Sequence, residues 1–578
     1  MSYLDVPRLH FAGTFSANPS TLNNLTANFD PANYNNLNPL WNQNGNHAWR
    51  FLNCTVQSAF GRQGRVNQDP VIGAAFTSTN SPAFAKLVDL DPQQQGVSQI
   101  WGLRIKVAVS PTEFFMGDFR VNCFNDLWGR VVGLQGMRAF GAYWQTVLDN
   151  VTWGQIHSPF LKELQTVSPA RLSIKFNVDG YQPDSALPTF TQGRVVGTVG
   201  PAFADEPPNF VLGRALRAPA SAASNPYFGY ARVDPIRQKL LVDLGNSIPT
   251  ASPGGAPPAD FGTLQLAVGP SGRSPVVLGE YDYSLPTYQA TAGVQEFSLT
   301  AEQLDALADT PLGVVRVPGQ GGGGSVYLQE GQDGTYVCAD RQFCRMNPGD
   351  VEVVELFALK FGRPAAGQKI GVQLNGNLVG PTPPPVGTPE SALSVPASVK
   401  TDDDGRASFP MTAGAPGNPR QFIDGQVYGV AYGWDADDDR DFPPDPNNFV
   451  SVLVFDSLPA AQKEPTWENV KPVLTQYAEL YPFMDGIFQL DDPAVIRQHL
   501  AAFQQVLNIP VSDPRYMPVT RDMSRDKRQL ILDWLALGAP VPAAPAAKAF
   551  EAAPEAAAVE KPEGPDTYKA PRPAGGRN

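Results

Sequence analysis

MSYLDVPRLHFAGTFSA, Met1 to Ala17, carries the pattern of a core strand. From Leu9 the residues alternate: Leu9, Phe11 and Phe15 fall on one face, Arg8, His10 and Thr14 on the other. A period of two marks a half-buried strand, and Gly13 inside it marks a bulge or the close approach of another backbone. The chain is therefore expected to start on a core strand with Arg8, His10 and Thr14 on its polar face. No basic head, apolar run or small-residue cleavage site is found here, so a cleavable leader is not expected.

Working outward, the 578 residues exceed one ordinary domain, and 42% hydrophobic with 10% aromatic content is ample for several cores. Pro 57 and Gly 53 beside only 17% charged residues favour many short strands joined by turns. The net charge is −13 and the basic residues are scattered, which argues against nucleic acid or an anionic membrane as partner. No run approaches 18 apolar residues, so no bilayer span is expected. Four cysteines, Cys54, Cys123, Cys338 and Cys344, do not make a disulfide scaffold, and the cytoplasm is the expected compartment. The five residues between Cys338 and Cys344 are not the spacing of a zinc or redox motif.

The fold class expected is mainly β. Residues 1–345 read as a large β-sandwich or barrel-like body with helical insertions. Strands are predicted over Trp49–Phe60, Val71–Thr77, Gln99–Val109, Arg171–Val178, Gly193–Gly200, Lys239–Asp243, Gly262–Ala267 and Ser325–Gln329. Leu127, Val131, Leu134, Phe140, Trp144 and Leu148 are spaced for a helix over Asn125–Thr152, and T-x-x-Q at Thr300 is a capping-box start. Residues 346–458 read as an immunoglobulin-like β-sandwich, with TDDDGRASF at Thr401–Phe409 as an acidic turn leading into a strand. Residues 459–539 read as a helical subdomain in which Asn469, Asp492 and Ser524 open helices. Residues 540–578, rich in Ala and Pro, read as a disordered tail.

The opening run, together with GNHAWRFLNCTV (Gly45–Val56), DLDPQQQGVSQIWG (Asp89–Gly102), ELYPFMDGIFQL (Glu479–Leu490) and YMPVTRDMSRDKRQLILDWL (Tyr516–Leu535), resembles in order the N-terminal half of the iminophenyl-pyruvate dimer synthases. These are the VioB-type enzymes of violacein and chromopyrrolate biosynthesis. The resemblance implies that iron chemistry belongs to a ferritin-like half, through Glu and Glu-x-x-His ligands. The four histidines here, His10, His47, His157 and His499, follow Pro7, Asn44, Gly154 and Ile496 at that spacing. No Glu-x-x-His exists, so no di-iron site is expected from this chain alone, and iron or flavin would reside in a partner.

The candidate catalytic residues are His10 and His47, which lie in the resembling stretches, and Asp89 and Asp91, the nearest carboxylates to enlist. Against them stand plainer roles: His10 on a strand face, His47 bonded to the turn Asn44, Gly45, Asn46, and Asp89 and Asp91 in a turn bonded to its own backbone. Asp435, Asp437, Asp439 and Asp441 could bind Ca²⁺, though the loop lacks the glycine and closing glutamate of an EF-hand and also reads as a solvated acidic loop. GQGGGG at Gly319–Gly324 satisfies G-x-G-x-x-G, but a strand follows it, so no dinucleotide site is expected.

Three functions fit. The leading expectation is a non-catalytic accessory or scaffold protein acting with a separate ferritin-like or flavin oxidoreductase in secondary metabolism. The alternatives are an enzyme or binding protein for a reactive aromatic imine-type intermediate, and a structural or surface-recognition β protein.

Overall fold

The computed structural model describes every residue except 38–40, 80–82, 220–227, 273–274, 320–322, 380–383, 435–447 and 542–578. Asp435, Asp437, Asp439 and Asp441, nearly all of the tail, and the middle of Gly319–Gly324 lie outside the described residues. The fold of residues 1–540 is mainly β, organised in four sheets with short helices and a helical C-terminal part.

The opening stretch forms the strand Arg8–Asn18 and closes a barrel. It pairs antiparallel with Gln192–Pro201 on one side and Ala48–Gly61 on the other. The ring continues through Leu172–Asp179, Phe140–Trp153, Phe114–Phe119, Arg104–Ala108 and Ala75–Ser78 before returning to Ala48–Gly61. Eight strands leave an interior just wide enough for side chains to fill. Here it is filled by aromatics: Phe11 stacks on Phe76 at 3.6 Å between ring centroids, and Trp144 on Phe176 at 5.6 Å. Gly197 stands opposite Phe11 in the register, and a Cβ there would come within 2.5 Å of the phenyl ring. Gly13 sits at a register shift between Ala12 and Thr14, where a Cβ would lie 2.5 Å from the Cys54 sulfur.

Leu9, Phe11 and Phe15 point into this core as the alternation requires, but the opposite face is not solvated. Arg8 and His10 are fully buried. The helix Leu285–Thr291 and the strand Val294–Ser298 pack over the outside of the barrel, bringing Glu296 within 2.9 Å of Arg8. The strand is buried on both faces, where alternation alone predicts one.

A second sheet of eight antiparallel strands, from Arg214–Arg217 to Ser325–Gln329, has its own core around Leu240, Leu264, Leu266, Val314 and Leu328. Two five-stranded sheets then form the sandwich, their facing residues Val354, Leu356, Phe409, Met411, Val430 and Val452 making one core. The strand read behind the acidic turn forms as Arg406–Ala413, and it alternates, with Ala407, Phe409, Met411 and Ala413 inward. The sandwich also takes in Thr335–Ala339 and Phe343–Met346, upstream of residue 346. Helices Trp467–Leu480, Pro493–Gln498, Leu500–Asn508 and Arg525–Ala536 pack around Trp534, which stacks on Trp467.

Two expectations are corrected. Asn125–Thr152 is not a helix but the strands Asn125–Gly129 and Phe140–Trp153 joined through a loop. Trp144 and Leu148 face the barrel core while Tyr143 and Val147 face a second cluster, so burial on both sides erased the period of two. Asn469 lies within a helix whose N-cap position is Thr466, which makes no side-chain capping bond, and Asn469 instead donates to the carbonyls of Ala461 and Glu464. The caps at Thr300, Asp492 and Ser524 form as read. Among the described residues no helix is long and apolar enough to cross a membrane.

Candidate functional site

The structure does not bring His10 and His47 together. His10 pairs with Ser58 near one end of the strand pair, and Ala48, next to His47, pairs with Asn18 at the other. The separation is roughly 26 Å, from eight residues at about 3.3 Å each. His10 bonds Thr198 through Nδ1 at 2.8 Å, and burial beside Arg8 holds its imidazole well below the usual range. His47 takes a left-handed backbone (φ 59°), bonds the Leu87 carbonyl at 2.9 Å, and is pushed down by burial to about 4. Both imidazoles are therefore neutral at pH 7, and among the described residues neither has a carboxylate bonded to it to form an acid–base pair.

Asp91 accepts from the backbone N–H of Gln93, the turn role read from D-x-D-P, and also forms a two-point ion pair with Arg420. Asp89 accepts from the Ser98 hydroxyl, and burial raises its carboxyl to about 6. Among the described residues no group of three His, Cys, Asp or Glu side chains could hold a metal ion.

What the tertiary structure does assemble is a junction where barrel edge, sandwich and helical part meet. Four of the five resembling stretches contribute to it. The His47 ring lies 5.8 Å from that of Tyr481. Tyr477 donates to Asp522 at 3.0 Å and Thr520 donates to the same oxygen at 2.6 Å. Arg345, from the sandwich strand Phe343–Met346, reaches across all three parts: it donates to Gln99 Oε1 (2.9 Å), the Asp89 carbonyl (3.0 Å) and the Thr520 carbonyl (3.5 Å).

Beside Arg345 opens a cavity of about 370 Å³ lined by Arg341, Arg345, Arg521, Arg525 and Arg528 and by one acid, Glu352. Arg341 is paired with Glu352 at 2.6 Å and Arg525 with Asp350 at 3.1 Å. The other three have no carboxylate within 4 Å among the described residues. Arg521 is held by the carbonyls of Val511, Val519 and Asp513, and Arg528 by that of Leu507. Arg521 lies over Trp101 (4.9 Å) and Arg528 over Tyr516 (4.2 Å), the stacking that a flat guanidinium favours. Burial pushes Arg345 down to about 10 and, with Arg345 beside it, Arg521 to about 9. Both stay cationic at pH 7, with Asp522, Asp91 and Asp89 acting on Arg345 and Asp513 on Arg521 from beyond contact distance. A larger cavity of about 580 Å³, near Trp128 and Phe261, carries one acid and one base, Asp260 and Arg316, so its charge is balanced.

Sequence reading does not single out these arginines. Arg521 and Arg528 stand within a resembling stretch, but their lack of a contacting carboxylate is a property of three-dimensional packing.

No family model matches the chain, and no curated protein matches it. Among solved structures, the crystal structure of the S-layer protein SbsC domains 4 and 5 is similar at 9% identity and a TM-score of 0.14. The match spans 25% of this chain and 66% of that one, just under two thirds of its length.

Proposed function

We propose that this chain is a non-catalytic accessory or scaffold protein. In this reading it corresponds to the N-terminal half of the iminophenyl-pyruvate dimer synthases and works in the cytoplasm beside a separate ferritin-like or flavin oxidoreductase in secondary metabolism. One observation carries the reading. Residues of the resembling stretches act as joints between parts of the fold: the Asp91 carboxylate holds Arg420 of the sandwich, and the Asp89 main-chain carbonyl and the Gln99 side chain frame Arg345. His47 is enclosed against Tyr481 of the helical part. A carboxylate clamped as Asp91 is, and an imidazole enclosed as His47 is, position surfaces and are not free to carry protons to and from a substrate.

The test is purification of the tagged, full-length protein from its own host, with mass spectrometry for partners and metal and absorbance analysis of the same sample. A stoichiometric oxidoreductase, with iron or flavin present in the complex, supports the accessory role. A protein that elutes alone with its own metal or chromophore overturns it.

A further inference from the structure

From the cavity at the three-part junction we infer a binding site for a small organic anion, an oxyanion head carried on an apolar body. The chain carries 56 acidic residues against 43 basic ones, yet Arg345, Arg521 and Arg528 converge on one cavity without a carboxylate in contact among the described residues. Burying an unpaired cation is costly, and carbonyl oxygens offset only part of that cost because they bring dipoles and no net charge. The carboxylates of Asp522, Asp91, Asp89 and Asp513 act on these arginines only from beyond 4 Å, and an anion in the cavity supplies charge in direct contact.

Hydrogen-bonding capacity is left unspent in the same place. Arg345 Nε and Arg528 Nη2 are shielded from solvent and have no acceptor among the described residues. Buried donors of this kind are nearly always satisfied, and an oxyanion satisfies several at once. The carbonyl contacts fix the guanidinium planes before any ligand arrives, so little side-chain entropy is lost on binding.

The walls are largely apolar. Trp101, Phe343, Phe455, Tyr516 and Met523 line the same space, and about 370 Å³ falls within the range of small-molecule sites. Inorganic phosphate would use the arginines and leave these walls wet. An anion with a ring or short chain uses both. This inference goes beyond the accessory role and does not depend on which oxidoreductase, if any, accompanies the chain.

The test is calorimetric titration of the full chain at low salt with benzoate, phenyl phosphate, inorganic phosphate and neutral benzamide. Benzoate or phenyl phosphate is expected to bind at least tenfold more tightly than benzamide and than inorganic phosphate, and the preferred head group identifies the oxyanion. Arg528→Met removes one donor while keeping an apolar contact on Tyr516, and is expected to weaken binding at least tenfold. Val511→Glu is the second variant: Val511 lines the cavity and is 44% exposed, so the change is compatible with folding. It places a carboxylate at the mouth and is expected to abolish anion binding while circular dichroism stays unchanged. Equal binding of benzoate and benzamide, no binding of either organic anion, or unchanged affinity in folded Val511→Glu overturns the proposal.

Discussion

Asp91 and Arg420 face each other through two parallel contacts of 2.8 Å, Oδ1 with Nη1 and Oδ2 with Nη2, and neither side chain is more than 2% exposed. The pair ties the turn at the barrel edge to the loop before the sandwich strand Gln426–Trp434, and Arg420 also donates to the Gly425 carbonyl at 2.6 Å. Removing one partner leaves a charge buried without compensation. Asp91→Ala is expected to cost about 3–5 kcal/mol in urea unfolding, and the Asp91→Leu, Arg420→Met double variant to recover much of that loss. Strictly additive losses in the double-variant cycle would show that the two side chains act independently.

The pH dependence has a direction that follows from His47. Burial holds its imidazole near 4 instead of 6.5. Between those values the unfolded chain takes up a proton that the folded chain refuses, so stability falls as pH drops below about 6.5. Asp89 works the other way: raised from 3.8 to about 6, it keeps a proton in the folded state and loses stability as pH rises through that range. His47→Asn, an exchange suited to the left-handed backbone, is expected to flatten the acid side of the curve by about 2 kcal/mol between pH 6.5 and 5. His10, shifted in the same sense, remains in the variant and preserves part of the slope. Melting temperatures measured from about pH 4.5 to about pH 8 read this directly.

Gly13 is required by what lies opposite. A Cβ there would meet both the Cys54 sulfur at 2.5 Å and the Cys54 main chain at 2.6 Å. Gly13→Ala is expected to destabilise the barrel by about 1–3 kcal/mol. Adding Cys54→Ala is not expected to restore it, because the clash with the main chain of residue 54 persists. Full rescue would place the conflict in the sulfur alone.

All four cysteines are free and buried, and burial pushes the thiols of Cys54 and Cys123 up to about 12 and that of Cys344 to about 11. Thiolate is the reactive form, so the folded protein is expected to resist maleimide. Mass spectrometry should find all four labelled in urea and none without it; rapid labelling of the native chain would contradict the packing.

Local information settled the parts of this protein that neighbours in sequence control. The inward face of Arg8–Asn18 and the caps at Thr300, Asp492 and Ser524 depend on a few adjacent residues, whereas Gly13 is legible only as an irregularity in the strand, and the Cys54 that requires it lies across the sheet. Local alternation could not reveal that the outer face of Arg8–Asn18 is covered by residues 285–298, nor that Phe140–Trp153 is a strand buried on both sides. The candidate site divides in the same way. Trp101, Tyr516 and Arg521 are visible as parts of distinctive stretches, but Arg345 arrives from 246 positions beyond Gln99. Whether an arginine meets a carboxylate, a carbonyl or an empty cavity is decided by long-range packing, because charge in a protein interior depends on what surrounds it in space and not along the chain.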